Sequence, residues 1–318
     1  MEFNEAITYA QLVSEAYEVA PNDLENRAGQ VVNAPWGGGA QFDIITTLYA
    51  CDLATDVNRA RGQSLVSIGL VLQRQGSGEA VIAFRGTEGI KEWVLDAHFG
   101  TKACPFLPSA GETEDGFSDM YGSLRADKND QDPDEPILAK VLPKLPWRSG
   151  VTSVTVCGHS LGGALATLAT LDIRVNAPAP YHDVTCWTYA SPKVGTAQFV
   201  AKYDQMVENT ARIANELDLV PRLPFLGYDH VNGGFDLKPF QFLPPKFFVQ
   251  PNVYCEHILT SYLFLLSRCA GGPDLALNPL CGSLDGAFAE LMKIVEDKWK
   301  HPEGLKQSFF ESKGKGLR

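Results

Sequence analysis

The feature that most constrains this chain is an abrupt change of pattern around residue 158. An apolar, β-branched run from Val151 to Val156 passes straight into Gly158-His159-Ser160-Leu161-Gly162. From Leu161 to Val175 the chain then lacks proline and carries small and apolar residues at helical spacing. A strand that turns sharply into a helix needs room, which Gly158 and Gly162 leave for the turn and for close helix-on-sheet packing. The serine at the apex is thereby exposed and oriented, two of the conditions under which a hydroxyl becomes a nucleophile. Gly-x-Ser-x-Gly alone is a weak signal; its position between strand and helix is what gives it meaning.

The rest of the chain is compatible with such a unit. A helical stretch over about 4 to 19 and a polar, glycine-containing region precede a strand over Leu65 to Leu72. Gln73 to Gly78 reads as a hairpin turn and Glu79 to Phe84 as the returning strand, with further strands at Val184 to Tyr189 and Ala211 to Ala214. Strands alternating with helices predict an α/β fold with a mainly parallel sheet covered on both faces. Functional groups in such folds gather beyond the carboxyl ends of the strands. The length of 318 residues accommodates one catalytic domain over 1–270. Leu284, Phe288, Leu291, Val295 and Trp299 mark one helical face, which predicts a helical extension over 271–318 packed on that domain.

Composition excludes several classes of partner. A formal charge of -11 argues against nucleic acid, while neutral lipid or a small ester remains compatible. The longest apolar run, Ile258 to Leu266, is too short to span a membrane. The opening Met1-Glu2-Phe3-Asn4-Glu5 is acidic and is not a signal peptide, so a cytoplasmic location, or export without such a signal, is expected. Seven cysteines without a C-x-x-C pair give no zinc pattern and no full disulfide framework, though they leave room for a single bridge. Cys157 and Cys186 lie in apolar runs and read as buried core.

A serine nucleophile needs a base whose pKa lies near neutrality, which means histidine. His98 and His182 precede the required place in the order nucleophile, acid, base; His301 lies in a charged tail, and His159 reads as packing. That leaves His230 and His257, and His257 is favoured because it begins an apolar, helix-like run. The acid that orients the base should follow a strand later than the elbow strand. Asp218 sits there, with Glu216 as its rival.

Taken together, these residues resemble the class 3 lipases, the fungal-type triacylglycerol lipases and their bacterial relatives. The resemblance rests on Phe84-Arg85-Gly86-Thr87, Trp93 to Asp96, Gly116-Phe117, Gly158 to Gly163, Ser191 to Gly195, Asn215 to Pro224 and His257 to Tyr262. It implies an α/β-hydrolase fold, Ser160 as nucleophile, Asp218 as acid and His257 as base, with His230 a non-catalytic histidine between the last two. The backbone N–H of Leu161, next to the nucleophile, is the expected first oxyanion donor. The resemblance adds Thr87 as the second and a helical lid over about 88–100 anchored by Trp93. Trp36-Gly37-Gly38-Gly39, the other glycine-rich candidate, reads as a loop.

One departure stands out: Glu114-Asp115 precedes Gly116-Phe117 where many relatives carry Val-His. The aromatic tract from Phe225 to Tyr254 reads equally well as an acyl-binding wall or as core. No metal or organic cofactor is expected. The expected partner is an ester or lipid substrate, met transiently at a lipid–water interface, and triacylglycerol hydrolysis comes first. Phospholipase A1 or feruloyl-type esterase activity is the alternative, and a partner-binding scaffold without turnover is the reading from another class.

Overall fold

Alternation along the central strands decides which helix covers which face. The structure is a computed structural model that describes residues 2–19, 23–52, 64–87, 100–129, 137–239 and 253–272. Its helices are α1 (Phe3–Tyr17), α2 (Asp115–Gly122), α3 (Ile137–Val141), α4 (Leu161–Asn176), α5 (Ala197–Met206), α6 (Val253–His257) and α7 (Leu259–Cys269). The first strands are β1 (Val31–Ala34), β2 (Ala40–Cys51), β3 (Leu65–Arg74) and β4 (Glu79–Phe84). A small ribbon follows, β5 (Thr101–Ala103) with β6 (Glu112–Glu114), and then β7 (Ser153–His159), β8 (Val184–Tyr189), β9 (Thr210–Asn215) and β10 (Gly234–Leu237).

The main sheet has the order β1-β2-β3-β4-β7-β8-β9-β10. Its pairs are antiparallel from β1 to β4 and parallel from β4 through β10. Because side chains alternate across a strand, Ile82, Phe84, Val154 and Val156 enter one core with α4, and Val81, Ala83 and Cys157 enter the other. α1 and α7 close that second core over Trp187 and Tyr189. The architecture is that of an α/β-hydrolase.

α4 lies in the first of these cores with every residue from Leu161 to Ile173 buried. Its leucines supply the core contacts, about 2 kcal/mol for each one fully buried. Its hydroxyls are satisfied locally: Thr167 and Thr170 donate to the carbonyls of Gly163 and Ala166, at 3.0 and 2.7 Å. Pro178 follows the C-cap residue Ala177 and stops the helix.

The expected strands at 65–72, 79–84, 151–156, 184–189 and 211–214 all have counterparts. β2 does not: its 12 residues fall in the region read as polar and glycine-containing. Eight consecutive residues, Ile44 to Cys51, are buried, and the register with β3 shifts twice, so the strand shows no sustained alternation. Trp36 to Gly39 form the turn between β1 and β2, where Gly37, Gly38 and Gly39 all adopt positive φ.

Cys157 and Cys186 are fully buried thiols, and Cys255 is disulfide-bonded. Phe235 packs edge-on against Phe3 of α1 at 5.7 Å between ring centroids, so this part of the aromatic tract belongs to the core. The expected lid with Trp93, the remainder of that tract from 240 to 252, and the extension beyond 272 lie outside the described residues. Among the described residues, no helix is long and apolar enough to cross a membrane.

Candidate active site

β7 ends in a turn that places Ser160 at the N-cap of α4 with φ 57° and ψ -126°. This left-handed φ is strained for any residue with a Cβ and persists only where the surroundings enforce it. They do so from both sides. Ser160 N–H donates to the Tyr189 carbonyl of β8 at 2.9 Å, while its own carbonyl accepts from Gly163 N–H at 2.8 Å. A Cβ on Gly158 would collide with the Gly162 carbonyl, and one on Gly162 with the carbonyls of Phe84 and Arg85. The elbow can form only because both positions are glycine.

The two residues expected to partner the serine are brought together. His257 Nδ1 donates to Asp218 Oδ2 at 2.8 Å, and both side chains are almost completely buried. Asp218 sits just past the end of β9, and His257 at the break between α6 and α7. The carboxylate accepts two more bonds, from Val220 N–H to Oδ1 at 2.9 Å and from the Tyr262 hydroxyl to Oδ2 at 2.8 Å. Three donors compensate the burial of its charge. Because Nδ1 carries the proton toward Asp218, His257 Nε2 is left as a bare acceptor. Nε2 and Ser160 Oγ are both buried, and neither has a hydrogen-bond partner among the described residues.

The rivals are placed elsewhere. His230 donates from Nε2 to the Pro221 carbonyl at 2.5 Å. Burial, and then the nearby Arg212 guanidinium, push its pKa down to about 4. Glu216 is half-buried, and the carboxylate beside His257 is that of Asp218.

The segments that carry the two expected oxyanion donors both adjoin the serine. Leu161 is the first residue of α4, so its N–H has no acceptor within the helix and sits at the positive end of the helix dipole. Thr87, half-buried, follows Gly86, and the Gly86 backbone crosses directly over the elbow. A Cβ on Gly86 would stand 2.9 Å from Ser160 Cβ and 2.8 Å from the His159 carbonyl oxygen. Only a glycine lets the chain carrying Thr87 approach so closely.

Two features went unread in the sequence. Tyr262, the last residue of one matching segment, receives no role from the sequence, yet its hydroxyl accepts from Asn215 N–H at 2.9 Å while donating to Asp218. Burial, and then the Asp218 charge, raise its pKa far above the ordinary tyrosine range, so it remains a donor. No local pattern signals this contact, because one partner is the backbone N–H of Asn215 and the other lies 44 residues away from Tyr262. His159, read as packing, has both ring nitrogens engaged. The Glu114-Asp115 departure has a structural use: Glu114 caps α2 by accepting from Phe117 N–H at 2.6 Å. Burial pushes its carboxyl up to about 8, against the lowering effect of that bond.

Fold and site together define a serine hydrolase architecture. Residues 81–228, just under half of the chain, match the class 3 lipase family, and this match supports a class 3 lipase of the α/β-hydrolase superfamily. A chloroplastic/mitochondrial phospholipase A1 of Oryza sativa subsp. indica is 28% identical over 92% of this chain and 74% of its own length. A secreted mono- and diacylglycerol lipase of Penicillium cyclopium is 36% identical over 48% of this chain, which spans less than half, 46%, of that protein. Among solved structures, native Rhizomucor miehei lipase in its propeptide complex superposes with a TM-score of 0.52 at 25% identity, covering 74% of this chain and 68% of that one.

Proposed function

We propose that the chain hydrolyses carboxylic esters of lipids through an acyl intermediate on Ser160, with His257 as base and then acid and Asp218 orienting it. The observation that carries this reading is the pair of buried, unpartnered atoms, Ser160 Oγ and His257 Nε2, with Asp218 behind the imidazole. Ser160 Oγ attacks the ester carbonyl carbon as its proton passes to His257 Nε2. Leu161 N–H and Thr87 then stabilise the charge on the carbonyl oxygen, and each such donor is typically worth about 3 kcal/mol. Collapse of the tetrahedral intermediate breaks the ester C–O bond, and the proton on His257 leaves with the alcohol. Water, deprotonated by the same imidazole, attacks the acyl-serine, releases the fatty acid and restores Ser160. The bonds and protons balance without a metal or an organic cofactor.

Triacylglycerol or another long-chain ester is the first assignment. The phospholipase A1 reading is kept as the second because the rice relative matches 92% of this chain. A p-nitrophenyl ester series from acetate to palmitate, followed by trioleoylglycerol and phosphatidylcholine emulsions, separates them when run on wild type and Ser160→Ala. Turnover that rises with acyl length and vanishes in the variant is expected. Wild-type turnover no better than that of Ser160→Ala would refute the enzyme reading, and preference for phosphatidylcholine would reverse the order of substrates.

A further inference from the structure

We infer that His159 is a positioning residue that ties the base to the oxyanion segment through a directed chain of hydrogen bonds running from Gly86 through Tyr17 to the backbone of His257. The inference rests on the roles assigned above to His257 and Thr87.

The direction of the chain follows from which atoms can donate. The His257 carbonyl can only accept, so His159 Nε2, 2.7 Å away, carries a proton. His159 is buried and packs tilted against the His257 ring with centroids 4.8 Å apart. Burial, and then the neighbouring His257, hold its pKa well below the usual histidine range, so the ring is neutral and Nδ1 is an acceptor. The Tyr17 hydroxyl, 2.8 Å from Nδ1, therefore donates to it. The Tyr17 oxygen in turn accepts from Gly86 N–H at 2.8 Å. Each group has one role, and reversing any of them leaves two donors or two acceptors facing each other.

Three segments distant in sequence are pinned by this chain. Gly86 precedes Thr87, so a fixed Gly86 N–H fixes the backbone from which the second oxyanion donor projects. The His257 carbonyl is available because the helix breaks there: Ser261 N–H, which would take it in a continuous helix, bonds the Ile258 carbonyl instead at 3.0 Å. His159 thus holds His257 from the backbone side while Asp218 holds it from Nδ1. Its neutrality also matters chemically. When His257 takes the serine proton it becomes a cation, and a second cation packed 4.8 Å away would oppose that step.

The test uses the isosteric relation between amide and imidazole. A glutamine amide nitrogen reaches the place of Nε2, and an asparagine amide only that of Nδ1. kcat and KM for p-nitrophenyl butyrate are measured per active site, counted by titration with a p-nitrophenyl phosphonate, for His159→Ala, His159→Asn, His159→Gln and Tyr17→Phe. Misplacing a catalytic group by about 1 Å costs about 10²-fold, so His159→Ala and His159→Asn should lose about that much kcat with KM nearly unchanged. His159→Gln should stay within about tenfold of wild type, the value of one hydrogen bond. Tyr17→Phe, at a partly exposed position, should lose kcat by about tenfold and serves if the His159 variants do not fold. Glutamine no better than alanine, or Tyr17→Phe indistinguishable from wild type per titrated site, would overturn the inference. Ser160→Ala run alongside reports separately on the proposed function, since only that variant must lose both turnover and phosphonate labelling.

Discussion

Two polar clusters lie at opposite ends of the same strands and are built on opposite terms. At the amino end of β4, Glu79 accepts from Tyr9, Arg74 and Thr155 at 2.6, 2.5 and 2.7 Å, joining α1, β3, β4 and β7. Every charge there is matched, the backbone is ordinary, and the Tyr9 hydroxyl is held protonated by burial. At the carboxyl end, Asp218 is as fully satisfied as Glu79, but the chain of contacts stops at two atoms without a partner among the described residues, and Ser160 sits at a strained φ. A buried hydrogen-bonding atom left without a partner costs about 1–3 kcal/mol. A fold tolerates that where a ligand will supply the missing partner. The difference between the clusters separates polar groups that hold the sheet from those that carry the proposed chemistry.

The comparison can be broken most decisively at Asp218. Asp218→Asn keeps the shape but permits the wrong His257 tautomer, and should lower kcat by about 10⁴-fold in steady-state ester hydrolysis with a native circular dichroism spectrum. A loss below tenfold would mean that this cluster is structural like the other. The converse variant is Glu79→Gln. It should cost about 2 kcal/mol in urea unfolding, the value of hydrogen bonds to a charged group, and leave kcat unchanged. The smallest effect sharpens the point at the elbow. Ser160→Gly relieves a backbone strain of about 1–3 kcal/mol and adds roughly 1 kcal/mol of glycine entropy, for a net gain of about 1 kcal/mol. Ser160→Ala, which keeps its Cβ, should show no such gain in the same unfolding experiment.

How much of this was legible depended on whether a residue's role was local. Ser160 was readable because the strand pattern, the glycines and the helix pattern are contiguous around it, and that contiguity is the physical cause of the elbow. Asp218 and His257 were readable in part, since order along the chain narrows the choice, though Glu216 and His230 are separated from them only by the contacts. β2 was lost because a strand buried on both faces from Ile44 to Cys51 carries no two-residue period. His159 is buried as its reading as packing expected, but the partners of its ring nitrogens went unread: its neighbours in sequence say nothing of Tyr17 or of the His257 carbonyl.

The bonds around His159 also have a consequence for how the molecule comes into being. Tyr17 lies 142 residues before His159, and the His257 carbonyl 98 residues after it. Contacts of such separation form late in folding, because the entropy of closing the intervening loops must be met first. A chain emerging from the ribosome can complete its sheet and its first core before residue 257 arrives, but the second core waits for α7, and until then the chain has an elbow and no partner for it. On the proposed mechanism, the site is complete only when the chain from residue 17 to residue 257 is in place.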